Sequence, residues 1–189
     1  MRLPRHFAFW RKLMTDYSAY FDQFCGENHI EIGLSYEMPE GYETAFGSFD
    51  VVRRTLFLNL PVLQSAPEHE ALFYLCHELR HALQYLRPEL FDELIQTSRY
   101  YVVLYDGVCY KLVGDSWKKC ILSGSEEYFR DAYLSLPYEM DANLYAYQKV
   151  QEIVGGSPEL EKLYSFWMPK RRFLPEELRG LFHLIDANT

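Results

Sequence analysis

The sequence predicts an α+β fold, mainly helical, in a single domain over residues 1–189. Three observations carry that expectation: two long segments of helical periodicity at 67–87 and 137–154, three short β-rich runs ahead of the first, and an Asp-Gly turn between two β-prone runs within 99–113. With 189 residues and 49% hydrophobic content, the chain has enough apolar material for a sizeable core.

Taken in order, the first helix is expected over about residues 5 to 24, ending near Gly26, because Phe9, Leu13, Tyr17, Tyr20 and Phe24 fall on one helical stripe. Ile30–Leu34, Ala45–Val52 and Thr55–Leu60 follow as short β-rich runs separated by Gly- or Pro-containing breaks, and imply a small antiparallel sheet packed on the next helix. That helix has a defined start and stop. Pro67 suits the first helical position, Glu68 and Glu70 complement the positive end of the helix dipole, and Arg87 is disfavoured from the α region by the proline after it. Ala71, Leu72, Leu75, Leu79, Ala82, Leu83 and Leu86 form its core stripe, with Glu70, Tyr74, His77, His81 and Gln84 opposite.

Residues 88 to about 136 read as an insert between the two long helices. Within it Tyr100–Tyr105 and Val108–Val113 flank Asp106-Gly107, a pair that favours a two-residue type I′ hairpin turn. The hairpin is either extra packing on the domain or a flap over a cleft. Asp115–Lys119 and Ser123–Glu127 read as exposed connectors, and Ser125–Arg130 offers the start of a short helix. The second long helix begins at Pro137 and stops at Gly155-Gly156; two further helices are expected at Pro158–Phe166, capped by Ser157, and at Pro175 to about Asp186.

The run His77-Glu78-Leu79-Arg80-His81 carries the chemistry. On a helix, residues four apart sit one above the other, so both imidazoles can reach one metal ion while Glu78 lies about 100° round from the first. Shuffled sequences of this composition contain the three fixed letters in about 2% of cases, so context must support the motif. A catalytic zinc usually takes three protein ligands. Glu139 is the best third candidate, since Glu139, Ala142, Asn143, Ala146, Val150 and Ile153 share one helix face and the two alanines permit close approach. Asp141, Glu126 and Glu127 are the alternatives. Asn143, one turn beyond Glu139, is placed to accept a hydrogen bond from the second ring nitrogen of a liganding His.

H-E-x-x-H followed by a helix reading E-x-x-A-N-x-Y-A resembles the gluzincin metallopeptidases, and most closely the ImmA/IrrE-type branch, in which short bacterial and phage proteins cut helix-turn-helix repressors. The likeness covers the two helices and, more loosely, Arg54–Asn59, which is similar to the edge strand that family places ahead of its zinc helix. It implies a zincin-like fold with zinc held by His77, His81 and Glu139, and Glu78 as the base. It also implies a protein or peptide substrate, with a transcriptional regulator as one possibility. This chain departs from the pattern in the 57 residues between His81 and Glu139 and in Arg80, where a small Gly is common.

These residue types suit metal-assisted amide hydrolysis, for which an oxyanion donor is also required. Tyr138, Tyr145, His183 and Arg80 are the candidates. The net charge of −8 argues against a nucleic-acid surface; Lys170-Arg171-Arg172 is the one basic run and reads as a solvated loop. Four cysteines without a C-x-x-C pair speak against a structural zinc site. No secretory signal or membrane span is evident, so a cytoplasmic protein with reduced thiols is expected. The leading expectation is therefore a zinc metallopeptidase. The alternatives are a zinc-binding gluzincin-fold regulatory or interaction module without turnover, and a zinc hydrolase acting on a small amide.

Overall fold

The computed structural model describes residues 17–189, so the first half of the expected N-terminal helix, with Phe9 and Leu13, lies outside the described residues. The fold is α+β with two three-stranded sheets. The chain divides into two compact units, one comprising residues up to Arg87 together with Ala142–Tyr164, the other Pro88–Asp141 with Ser165–Thr189.

In the first unit, α1 (Tyr17–Asn28) runs through Gly26 instead of ending there. It stops two residues later, where His29 adopts φ +52° and the Ile30 and His29 amides bond back to the Cys25 and Gly26 carbonyls, the pairing of a Schellman cap. Strands β1 (Gly33–Ser35), β2 (Gly47–Asp50) and β3 (Thr55–Leu58) form a sheet in the order β1-β3-β2. The β2–β3 pair is antiparallel, as its tight connection requires, whereas β1 lies parallel to β3. The sheet is thus mixed instead of wholly antiparallel: the connection 36–46 carries the chain past one strand position, β2 runs back against the direction of β1, and β3 fills the place between them parallel to β1. Thr55–Leu58 is the central strand, not an edge, because Leu56, Phe57 and Leu58 are buried on both faces while β2 is only half-buried.

After the short α2 (Leu60–Ser65) comes α3 (Glu68–Leu86), with Pro67 at its N-cap and Arg87 at its C-cap. The Arg87 guanidinium also donates to the Asn28 carbonyl at 3.0 Å, closing the end of α1. The expected core stripe is buried from Ala71 to Leu83, but so are Phe73, Cys76, His81 and Gln84, so that the motif helix is covered on most of its circumference. Part of that cover is aromatic: Phe46 stacks on Tyr74 with ring centres 3.9 Å apart, and Phe49 lies 6.1 Å from Tyr85.

The second unit opens with a short 3₁₀ turn (Pro88–Leu90) and α4 (Glu93–Ser98), whose N-cap Asp92 accepts from the Ile95 amide. Strands β4 (Tyr101–Val103), β5 (Val108–Val113) and β6 (Ser116–Ile121) form an antiparallel meander. Two expectations are corrected here. The Leu104 amide bonds to the Val108 carbonyl and the Gly107 amide to the Leu104 carbonyl, giving a three-residue connection in which Gly107 alone has positive φ (+83°), not a type I′ turn. One residue of difference flips every side chain of a strand, so this connection decides which face meets the core. Asp115–Lys119, expected as a connector, is instead mostly β6; the turn before it has Gly114 at φ +59° in its first central position, the type II′ pattern.

α5 (Glu126–Leu134) is capped by Ser125, whose hydroxyl accepts from the Tyr128 amide at 3.1 Å. Its buried Asp131 accepts the Lys170 and Arg171 amides at 2.9 and 3.3 Å, which anchors the basic run through its main chain. α6 (Pro137–Val154) and α7 (Pro158–Phe166) follow, then α8 (Pro175–Asn188), which packs on β5 and β6. Tyr101 stacks on Phe182 at 4.2 Å and donates to Asp186, which also pairs with Lys111 at 2.6 Å. Among the described residues no helix is long and apolar enough to cross a membrane.

Gly26 and Gly180 are exposed positions inside helices where an added Cβ meets nothing within 4 Å. Gly26→Ala and Gly180→Ala should each raise unfolding free energy by about 0.5–1 kcal/mol, roughly additively, in urea denaturation. Burial pushes the Cys76 and Cys109 thiols up to about 12, and burial with the Asp186 bond pushes Tyr101 up to about 12. Each folded value lies above its unfolded one, so this stability is intact below pH 9 and is lost as pH rises toward 12. The urea midpoint should accordingly fall across that window; a level or rising midpoint would contradict the assignment.

Candidate metal centre

The centre is built from α3 and the first turn of α6. Helical spacing places His77 and His81 one above the other, with their Nε2 atoms 2.9 Å apart and the rings at 87°. Glu139 enters from α6, whose start is determined locally. Leu136 at the N-cap has no side-chain acceptor, Pro137 has no amide to satisfy, and the Tyr138 amide donates to the buried Ser98 hydroxyl at 3.2 Å. The face expected from periodicity is buried throughout: Glu139, Ala142, Asn143, Ala146, Val150 and Ile153. One ligand atom from each of His77, His81 and Glu139 lies within 4.8 Å of the others.

His77 is half-buried, His81 is 8% exposed and Glu139 5%. A carboxylate so deeply buried costs several kcal/mol of hydration, which a nearby cation offsets. The donor set suits zinc: two imidazoles and one carboxylate, the composition of open hydrolytic sites. Two nitrogens on one tetrahedral zinc stand about 3.3 Å apart for Zn–N distances of about 2.0–2.1 Å. Opening the observed His77–His81 separation by a few tenths of an ångström meets that requirement.

Gln84 completes the arrangement, and the sequence reading assigned it no role. Its Oε1 lies 2.8 Å from His81 Nδ1, and Gln84 is 1% exposed. An amide oxygen only accepts, so Nδ1 carries the proton and the Nε2 lone pair points to the centre. The signal was legible, since Gln84 stands one turn from His81 on the same face. Asn143, expected to accept from a liganding His, is buried one turn beyond Glu139 on α6, and Gln84 is the residue in contact with His81 Nδ1.

Glu78 is oriented by the sheet. The Phe49 amide of β2 donates to its Oε2 at 3.0 Å, and a Cβ at Gly47 would come within 3.2 Å of its Cγ. The Asn59–Phe46 main-chain bond sets the alternation along β2, so Gly47 and Phe49 turn their polar groups to the open edge. One edge amide therefore serves the carboxylate.

The four oxyanion candidates fare differently. Arg80 lies over the Tyr145 ring at 4.8 Å, which accounts for a long cation where a small residue was expected, and Tyr145 also packs edge-on against Phe24. Tyr138 is buried in the hydrophobic cluster with Phe129, Phe173 and Leu181. His183 is exposed on α8. A residue that sequence reasoning passed over, Tyr105 in the β4–β5 connection, packs edge-on against Tyr133 at 5.6 Å; burial and then the negative charge of Glu139 raise its hydroxyl, while Arg130 opposes them. A cavity of about 440 Å³ bordered by Glu93, Arg99, Tyr100 and Lys111 includes none of the candidate ligands.

Replacing Gln84 with Leu should leave the fold intact and weaken zinc binding by about 10- to 100-fold in competition with a chromophoric chelator. Unchanged affinity would remove Gln84 from the centre. No family model, no curated protein and no solved structure matches this chain.

Proposed function

We propose that this chain is a cytoplasmic zinc-dependent metallopeptidase that hydrolyses a peptide bond in a protein or peptide substrate. The observation that carries the reading is the convergence of His77, His81 and Glu139 within 4.8 Å, with Glu78 next to His77 and oriented by the Phe49 amide. Zinc, when bound there, lowers the pKa of water and polarises a scissile carbonyl.

The protein's own groups do the rest. The Phe49 bond holds Glu78 Oε2, so Oε1 takes the proton of the attacking water as the new C–O bond forms. Glu78 then delivers that proton to the amide nitrogen as the C–N bond breaks, which keeps protons and electron pairs balanced. Gly47 offers main-chain groups on the same open edge, suited to an extended substrate whose own backbone supplies the complementary groups.

A second reading, a zinc-binding module without turnover, draws on the same Phe49–Glu78 bond, which occupies one of the two carboxylate oxygens. The experiment separates the two. Purified protein should contain one zinc per chain, and His77→Ala, His81→Ala and Glu139→Ala should each lose it. Glu78→Gln should retain zinc while cleavage of a denatured protein substrate falls by about 10²- to 10⁴-fold. Full zinc occupancy with cleavage that Glu78→Gln leaves unchanged would favour the module; absence of zinc from protein purified without chelator would sink both.

A further inference from the structure

We propose that the open edge of β6 receives an extended acidic segment of a protein partner, added as a fourth strand to the β4-β5-β6 sheet. This surface is separate from the residues of the metal centre and does not depend on the reading of that centre.

The edge is complete in its backbone. β6 is the terminal strand of the sheet. The bond from the Leu122 amide to the Gly107 carbonyl sets the alternation, so that Cys120 and Lys118 exchange main-chain bonds with β5 while Trp117, Lys119 and Ile121 direct theirs outward. Among the described residues nothing pairs with those outward groups. Natural edges are blunted by a bulge, a proline, a covering segment or edge charge; across Ser116–Ile121 β6 has no bulge or proline, and the device it carries is the Lys118-Lys119 pair.

The side chains select the occupant. Trp117, Lys119 and Ile121 share one face, on which Trp117 and Ile121 are both exposed, Ile121 to 70%. On the opposite face Cys120 is buried, so the strand is anchored from one side only. Lys118 and Lys119 are both exposed, and among the described residues neither makes an ion pair. In a chain of net charge −8 they form a local positive edge.

Charge also decides against a second copy of this chain. In antiparallel self-pairing, the two registers that overlap most of β6 set Lys119 against Lys119 or Lys118 against Lys118. Like charges directly opposite are destabilising, and lysine on an edge is a common device against self-association. A strand carrying a carboxylate opposite Lys119, a second acidic residue beside it near Lys118, and apolar residues two places to either side meets both the charge and the Trp117–Ile121 face.

The probe is the capped heptapeptide TVTEDVT, which in antiparallel register sets its Glu opposite Lys119 and its Asp opposite Lys118, with TVTKKVT as its basic counterpart, added to the full-length protein. Amide exchange is followed by NMR. The acidic peptide should slow exchange at Trp117, Lys119 and Ile121, while Lys118 and Cys120, already bonded to β5, change little. Lys119→Glu should weaken binding at least tenfold. Lys119→Pro removes one outward donor without touching the ladder, and should do the same while the circular dichroism of the protein is unchanged. Equal binding of the basic peptide, no protection of the three amides at millimolar acidic peptide, or protection that appears without peptide and tracks dimerisation in sedimentation would each overturn the proposal.

Discussion

Burying the polar face of α3 is the constraint from which the first unit's architecture follows. A helix with an apolar stripe needs cover on one side only, but α3 is covered around most of its circumference, and that encloses His81 and Gln84 with the leucines. Enclosed polar groups must be satisfied. Gln84 meets His81 at Nδ1, His77 meets it at Nε2, and the sheet meets Glu78 through the Phe49 amide. The first two contacts lie within α3 and the third comes from β2, so the position of α3 determines where β2 runs.

Pre-organisation is achieved largely by backbone groups and small residues. Glu139 owes its place to a helix start that lacks its own cap and borrows the Ser98 hydroxyl. Ala142 and Ala146, both fully buried, keep bulk off the face that carries Glu139. Glu78 is oriented by an amide no substitution short of proline can remove, next to a glycine whose missing Cβ leaves room for its methylenes. Packing and main-chain bonds of this kind hold side chains in one geometry, which metal ligation requires.

Much of this was legible beforehand. The periodicity of 67–87 and 137–154, the buried face of α6 and the pairing of His77 with His81 follow from the 3.6-residue repeat, which acts over a few neighbouring positions. The strand errors have a different origin. Thr55–Leu58 reads as β-rich whether it is central or at an edge, and Asp106-Gly107 permits both a two-residue and a three-residue connection. Each choice rests on pairing partners distant in sequence or on one ladder bond. For β6 the signal was present in Gly114-Asp115, a hairpin pair masked by the lysines and serine around it.

The sequence by itself determined the two long helices, their apolar stripes and the residue types able to hold a metal, because i, i+4 geometry is local and does not depend on the rest of the chain. Tertiary structure alone decided that Glu139 comes close to the two histidines across the 57 intervening residues and that the Phe49 amide meets Glu78. Those are contacts between separate elements. They form only when burial of apolar surface brings the elements together, and no periodicity within either segment encodes them.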